Sequence, residues 1–309
     1  MMAKYIGRRL LQSLFVLWLV ATLAFGALQL TPGDPAQALL AASGATSEEI
    51  ARQRAELGLD DPLLRQYARF LGELVQGDLG RSWLHGRPVS RMIAEQLAPT
   101  AELAGVATAV GIAVGIGLGV LAAIRRRTWV DAAATAVAVV GISVPTYWSG
   151  LLAILVFALH LRWFPATGSG SLRHLVLPAL VLGFALSGSI ARIVRTRSVE
   201  VLDAQFILAA RARGLPAHRV LFVHVLRAAL GPAITVSALQ LGFLLGGAVI
   251  TESVFARSGL GQLAVEAILW QDVPVVRGVV LFSAVAFMLV NLLADLLQAW
   301  VDPRIREAL

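Results

Sequence analysis

Six uncharged, mostly apolar runs constrain this chain more than any other feature of its sequence. They extend over Leu10 to Leu30, Leu103 to Ile124, Ala132 to Leu159, His174 to Ala191, Ala228 to Thr251 and Gly278 to Ala294. About 20 apolar residues form a helix that is long enough to cross a bilayer. Only 15% of the residues are charged, against about 25% in a soluble domain. The sequence therefore predicts an all-α integral membrane protein with six transmembrane helices.

The first run is predicted to stay in the membrane rather than to be cleaved. A signal peptide has an apolar core of about 7–15 residues, and the run in residues 10–30 is longer. Lys4, Arg8 and Arg9 precede it, so we predict that residues 1–30 form a transmembrane helix with a cytoplasmic start. The sequence AFGA at 24–27 leaves cleavage as the alternative.

A polar segment, 31–98, follows the first run and contains nine of the 19 acidic residues. Thr46 and Glu49 match a capping box at the start of a short helix. Pro62 would begin a second helix, whose apolar face consists of Leu63, Tyr67, Phe70, Leu71 and Leu74. We predict a large extracytoplasmic loop whose amphipathic helices lie on the membrane surface or on a partner.

The distribution of basic residues predicts the orientation. Six spans put both termini on one side, and 15 of the 26 Lys and Arg residues lie on that side. Seven of the other 11 lie in the 31–98 loop, where the positive-inside rule has little weight. Both termini are therefore predicted to be cytoplasmic, and 99–309 to form a five-helix core. The net charge of +7 needs no nucleic-acid partner, because the basic residues lie between the spans.

Two of the predicted spans contain a distinctive pattern, an interruption in one and a glycine repeat in the other. Ser143, Pro145, Thr146 and Tyr147 interrupt the third span, and the alternatives are a tolerated kink and a bend that lines a transport pathway. As pathway-lining candidates we take these four residues together with Glu252. The glycines of the second span recur every four residues and predict close packing against a helix of this chain or of another subunit; they are Gly111, Gly115 and Gly119.

The chain offers little catalytic chemistry of its own. Lys4 is its only lysine, so it has no P-loop. It has no cysteine, and none of its five histidines has a partner at a metal-binding helical spacing. The acids nearest to the spans lie at or near span ends, which argues against a proton relay; they are Glu102, Asp131, Glu252 and Asp295. We expect no enzyme activity, no metal and no cofactor on this chain.

The longest basic interruption late in the chain is QFILAARARGLPAHRVLFVHVLRAALGPAI at 205–234. Gly214 and Pro216 suit the end of one helix and the start of the next. The form AARARGL with HVLRAALGP resembles the "EAA" loop of membrane subunits of ATP-binding-cassette importers, in the peptide/nickel branch. Leu208 stands where many members have Glu, and Arg227 where they have Pro. The resemblance continues in TPGDP, LGLDDP, GDLGRS and RPVS of the 31–98 loop and in the 302–306 tail, DPRIR.

The resemblance implies a type I importer permease that works by alternating access. Its partners would be a homologous second permease subunit, two ATPase subunits that bind ATP and Mg, and an extracytoplasmic solute-binding protein, in the bacterial inner membrane. The loop at 204–227 would form a coupling helix that docks on an ATPase. The residues expected in that contact are Phe206, Ala209, Ala210, Arg213, Gly214, Leu215 and His218.

The substrate stays open at this point. Members of the family carry dipeptides, oligopeptides, glutathione, nickel or metal chelates, and we expect di- or oligopeptides here. The rival functions are an ATP-independent secondary transporter, which the uncharged span centres disfavour, and a scaffold protein, which would leave the ordered loop motifs unexplained.

Overall fold

The computed structural model describes residues 2–29, 34–40 and 46–301, and the regular structure within them is helical apart from an isolated bridge between Arg81 and Pro88. The junction at 30–31 and the 302–306 tail lie outside the described residues. The helices are α1 (Met2–Gln29), α2 (Pro35–Leu40), α3 (Ser47–Glu56), α4 (Leu63–Val75), α5 (Val89–Ile124), α6 (Trp129–Ser143), α7 (Thr146–Ala153), α8 (Leu172–Leu202), α9 (Gln205–Ala212), α10 (Ala217–Arg219), α11 (Leu226–Leu245), α12 (Val249–Val254), α13 (Leu260–Leu269) and α14 (Val273–Val301).

Four helical segments of the described chain are long and apolar enough to cross a membrane. They are α5, α8, the described part of α14 to Leu297, and the segment Ala217–Leu245, in which π-helical turns at Val220–Val225 join α10 to α11. A fifth span results if α6 and the segment Thr146–His160, which consists of α7 and the π-helical turns after it, count as one; the two are bent by 102°. The apolar part of α1 is Leu11–Ala27, which is shorter than these spans. The all-helical membrane architecture is thus confirmed.

The fifth predicted run is not one continuous helix, and that prediction was wrong. We expected a span from Ala228 to Thr251, but α11 ends at Leu245 and α12 begins at Val249. Gly247 has a φ of +115° in the break. A Cβ atom at this position would come within 2.7 Å of the backbone nitrogen of Gly261. The two glycines therefore allow the chain to turn and to pass close to the start of α13.

Helices α5 and α8 form the central pair of the fold. The predicted glycine ridge faces α8 of the same chain: a Cβ at Gly115 would meet Ile190 Cβ at 2.7 Å, and one at Gly119 would meet the Ala191 carbonyl oxygen at 2.6 Å. Small residues allow two helix backbones to approach closely in a membrane. Helix α11 packs on this pair through clusters that bury Leu103, Leu182, Leu244, Ile190 and Ala229.

The two ends of the helix bundle differ in what they carry. The arginine-rich end holds Arg125 to Arg127, α9 and α10, and the loop end holds residues 46–88, α12 and α13. Both predicted helices of the loop are present. Thr46 and Glu49 form a complete capping box on α3, and α4 packs on α1, where Tyr67 and Thr22 share a 2.7 Å hydrogen bond and Phe25 contacts the ring of Phe70.

Helix α5 begins well before the predicted span. Its first residue is Val89, so the last residues of the predicted 31–98 loop already belong to this helix. Val89 is fully buried and packs with Leu260 of α13 and Val275 of α14. The start of α5 is therefore a structural part of the loop end.

Candidate functional site

The segment that the sequence singled out forms a short helix at the arginine-rich end. Helix α8 ends at Leu202, and α9 begins at Gln205 after a two-residue turn. Ile207 is the one buried residue of α9, and it packs with Val220 and Val225 of the following π-helical segment. A single anchoring side chain thus holds α9 against the bundle, while the rest of the helix stays accessible.

Gly214 closes α9 in the predicted way. Its φ is +81°, its amide donates to the Arg211 carbonyl oxygen (2.9 Å), and the Leu215 amide donates to the Ala210 carbonyl oxygen (3.1 Å). This pair of bonds is the Schellman motif, in which glycine takes the left-handed position after a helix. No atom lies within 4 Å of a Cβ placed on Gly214. The requirement for glycine therefore comes from backbone conformation and not from crowding.

The exposed surface of α9 is apolar and cationic. Phe206 is 54% exposed and Leu208 61% exposed, and five of the predicted coupling residues are at the surface, namely Phe206, Ala209, Arg213, Gly214 and His218. Ala210 and Leu215 are half-buried. In the described part of the chain, Arg211, Arg213 and Arg219 form no salt bridge. A partner with an apolar groove and carboxylates would complement this surface.

Ion pairs brace the bundle beside α9. Arg126 donates to Asp203 at 2.6 Å, immediately before α9, and this contact holds the pKa of the Asp203 carboxyl below its ordinary value. Asp131 accepts two bonds from Arg195, at 2.7 and 2.8 Å, and one from the Arg127 amide. These pairs connect the turn between α5 and α6 to α8. The end of α8 that leads into α9 is therefore joined to α6 and to the turn that follows α5.

The interruption of the third span is a sharp turn. Ser143 ends α6, Pro145 precedes α7, and the two helices differ in direction by 102°. Ser143, Pro145 and Tyr147 are exposed, and Thr146 is half-buried. Ser143 also lines a cavity of about 360 Å³ between α5, α6 and α8, to which Arg192 and Thr196 contribute. The turn therefore leaves polar groups at the surface of the membrane-spanning part.

Glu252 lies in a closed pocket, unlike the other pathway-lining candidates. Its side chain is fully buried. The carboxylate accepts hydrogen bonds from the Thr100 hydroxyl (2.8 Å) and from the Gly261 and Gln262 amides (2.8 and 3.2 Å). The Thr100 hydroxyl in turn accepts from the Leu260 amide. Glu252 was expected at a span end near the surface; the structure instead makes it the centre of a buried polar network.

Asp272 forms a second buried network, which sequence reasoning missed. It accepts from the Ser82 hydroxyl (2.5 Å) and from the amides of Trp83 and Leu84 (3.0 and 3.4 Å). This carboxylate fixes the end of the long loop to the start of α14. Asp272 precedes the proline of a QDVP turn, but no local pattern indicates partners that lie 190 residues away.

No metal site is evident among the residues that the structure describes, since no group of three His, Cys, Asp or Glu side chains comes together there. The buried acids bind backbone amides, hydroxyls or guanidinium groups instead. The exposed surface of α9 is the part of this arrangement that is available to a partner.

The sequence matches two family descriptions. Residues 115–307 match "Binding-protein-dependent transport system inner membrane component", and residues 2–104 match the N-terminal part of a membrane component of the same systems. Together they cover nearly all of the chain. This confirms the resemblance to permease subunits of ATP-binding-cassette importers.

Full-length relatives agree with this match. A putative peptide transport system permease protein of Brucella melitensis is 43% identical, with 99% of each chain covered. The glutathione transport system permease protein GsiC of Escherichia coli (strain K12) is 38% identical, again with 99% of each chain covered.

The solved structure of the MetNI methionine ABC transporter, in an inward-facing conformation, has a similar fold. The TM-score is 0.56 at 20% identity, and the match covers 68% of this chain and 96% of that one. The resemblance in fold, the family match and the full-length relatives agree. The chain belongs to the family of inner-membrane permease components of binding-protein-dependent transport systems.

Proposed function

We propose that this chain is a permease subunit that imports di- or oligopeptides with energy from ATP. The proposal is supported by the relative of Brucella melitensis, which is named for peptide transport and matches over nearly the whole chain. Glutathione, for which another relative is named, is itself a small peptide and is the nearest alternative substrate. Nickel or a metal chelate is the more distant one.

In this proposal the chain crosses the bacterial inner membrane six times, with α1 as the first span and the bent α6–α7 pair as the third. The arginine-rich end faces the cytoplasm, because positive charge is retained on that side. The loop end then faces the solute-binding protein. A homologous second permease would complete the translocation pathway, and two ATPase subunits would bind at the cytoplasmic side.

The observation that carries the proposal is the geometry of α9. With the turn that follows it, α9 exposes an apolar surface and arginines that form no salt bridge within the described residues. Ile207 packs α9 on the bundle, and the Arg126–Asp203 pair holds the turn before it. When ATP brings the ATPase subunits together, a docked α9 would move with them, and the braced end of α8 would pass this movement to α5 and α6. Because Leu208 is apolar and exposed in the middle of α9, we expect the ATPase groove to be apolar where it contacts this residue.

The test is to compare Gly214→Val with Gly214→Asn in the chain co-expressed with its partners. Valine is strongly disfavoured at φ +81°, whereas asparagine tolerates the left-handed region. Neither side chain meets a clash, since the space beside Gly214 is open. We expect the valine variant to lose most of its ATPase co-purification and its ATP-driven peptide uptake into vesicles, and the asparagine variant to keep both.

Two results would contradict the proposal. One is normal uptake by Gly214→Val, which would remove the coupling role from α9. The other is uptake by the purified chain without ATP or ATPase subunits, which would favour the secondary transporter.

A further inference from the structure

Arg277 occupies an unusual position at the loop end. It lies in the first turns of α14, and its guanidinium is 4.7 Å from the ring centroid of Phe25 on α1 and 5.0 Å from that of Phe70 on α4. A cation over an aromatic face is stabilised by the ring quadrupole. Three elements from distant parts of the sequence thus hold this guanidinium in place.

The guanidinium is held without a hydrogen-bond acceptor. Within the described residues, none of its five N–H groups donates to an acceptor, no carboxylate lies within salt-bridge distance, and its Nε atom is buried. Aromatic faces stabilise the charge but do not replace the acceptors that the N–H groups had in water. A buried donor without a partner is costly, and among the described residues the buried Nε–H of Arg277 lacks the acceptor that a ligand would supply.

Arg257, which is buried, and Arg195, which is half-buried, both have acceptors. Arg257 is 3% exposed and donates to the Pro99 carbonyl oxygen and to Glu102. Arg195 makes two bonds to Asp131. Arg277 differs from both because none of its N–H groups has an acceptor among the described residues, whereas Arg257 donates from Nη2 and lacks an acceptor at its buried Nε.

A cavity of about 700 Å³ adjoins Arg277. It lies between α4, the 77–86 segment, α13 and α14, and Gln66, Glu73, Trp83 and Leu281 also line it. Its volume lies in the range of about 300–1,000 Å³ for small-molecule sites. Its lining is rich in charged groups, which besides Arg277 and Glu73 include Arg54, Arg69, Arg81, Asp34 and Asp78. Glu73 would accommodate an ammonium group of a ligand whose acidic group binds Arg277.

We propose that this cavity binds a small zwitterion and that Arg277 binds its carboxylate. A planar guanidinium can donate two parallel hydrogen bonds to one carboxylate, and the two phenylalanine rings keep it oriented before the ligand arrives. The permease would then have a ligand site of its own at the loop end, separate from the solute-binding protein. The choice of a peptide as the ligand rests on the proposed function.

The experiment uses the full chain with its partner subunits in nanodiscs, without solute-binding protein and without ATP. Binding of alanyl-alanine is measured by saturation-transfer NMR, next to alanyl-alanine amide, which lacks the carboxylate. We expect the free dipeptide to bind and the amide to bind at least about tenfold more weakly, the effect of losing hydrogen bonds to a charged group. Equal binding of the two would overturn the proposal, as would no binding of either.

Two variants separate ligand binding from packing. Arg277→Lys keeps a cation over the two rings but loses the paired donors, so it should keep the thermal unfolding temperature and bind the dipeptide about tenfold more weakly. Arg277→Gln should lose binding altogether. If Arg277 only fastens α1 and α4 to α14, the lysine variant binds the dipeptide as the wild type does, and the proposal is wrong. Because the assay needs no ATP, a chain that binds the dipeptide but does not import it would contradict the proposed function alone.

Discussion

The loop end and the arginine-rich end of this protein differ in the charged side chains that they bury and expose, although Asp131 is buried beside Arg195 at the arginine-rich end. At the loop end, Glu252 and Asp272 are buried and each accepts three hydrogen bonds, with Thr100 as the distant partner of Glu252 and residues 82–84 as the distant partners of Asp272. At the arginine-rich end, Arg211, Arg213 and Arg219 are exposed and form no salt bridge with the residues that the structure describes. A buried carboxylate needs hydrogen-bond donors inside the protein. An exposed guanidinium is hydrogen-bonded to water and stays available to a partner.

This difference separates a fixed region from a docking region. Removal of a buried acceptor leaves several donors unsatisfied and weakens the fold itself. Removal of an exposed charge changes stability little and acts mainly on association with a partner. The loop end should therefore respond to mutation through stability, and the arginine-rich end through coupling, as expected for Gly214→Val.

The largest effect on stability is expected for Glu252→Ala. It leaves the Thr100 hydroxyl and the Gly261 and Gln262 amides without their acceptor in a buried site. We expect a loss of about 3 kcal/mol or more in the free energy of unfolding, seen as a lower unfolding temperature and yield of the purified chain. Glu266→Ala, on the exposed side of α13, is the matched control and should unfold like the wild type. Equal stability of the two variants would mean that the network does not hold the loop end.

A smaller effect is expected where the two ends are joined, along the contact between α5 and α8. Gly115→Ala places a methyl group 2.7 Å from Ile190 Cβ and 2.8 Å from the Ser187 carbonyl oxygen. Such overpacking costs about 1–3 kcal/mol. Gly117→Ala, on the same helix, meets nothing within 4 Å and gains only the higher helix propensity of alanine. The difference between their unfolding temperatures measures the clash, and a value near zero would contradict close packing of the ridge.

The smallest effect is expected at the arginine-rich end, for Asp203→Asn. The Arg126 guanidinium lowers the pKa of Asp203, so the pair stabilises the folded chain above the unfolded pKa and loses this contribution as the pH falls through the folded pKa. The wild type should have a slightly higher unfolding temperature than the variant. This difference should be the same at pH 7 and at pH 5, and it should disappear in strong acid. Added salt should reduce it, because the pair is exposed. A difference in unfolding temperature that grows as the pH falls would contradict the lowered pKa of Asp203.

Local structure was largely predictable from the sequence. The capping box at Thr46, the break between Ser143 and Tyr147, and the glycine turn at Gly214 each depend on a few adjacent residues, and all three are present. The break at Gly246 and Gly247 was missed, because the surrounding run is apolar throughout and glycine is common in membrane helices. What makes the turn necessary is the close approach of Gly261, which the run itself does not reveal.

The partners of the buried groups could not be predicted. Thr100 and Glu252 are 152 residues apart, and Ser82 and Asp272 are 190 apart. In the sequence, Arg277 is one more basic residue near a span end. Only the packing of α1 and α4 shows that it lies over two rings and has no acceptor among the described residues.

The sequence by itself determined that the chain is helical and lies in a membrane, where α9 ends, and which family the chain belongs to. These properties follow from the length of apolar runs, from backbone preferences at single residues and from local motifs. The tertiary structure decided which face of α5 meets α8, which acids are buried, and which charges stay open. Those outcomes depend on helices that meet across long stretches of chain, and the desolvation of a charged group is settled only by the neighbours that the fold brings to it.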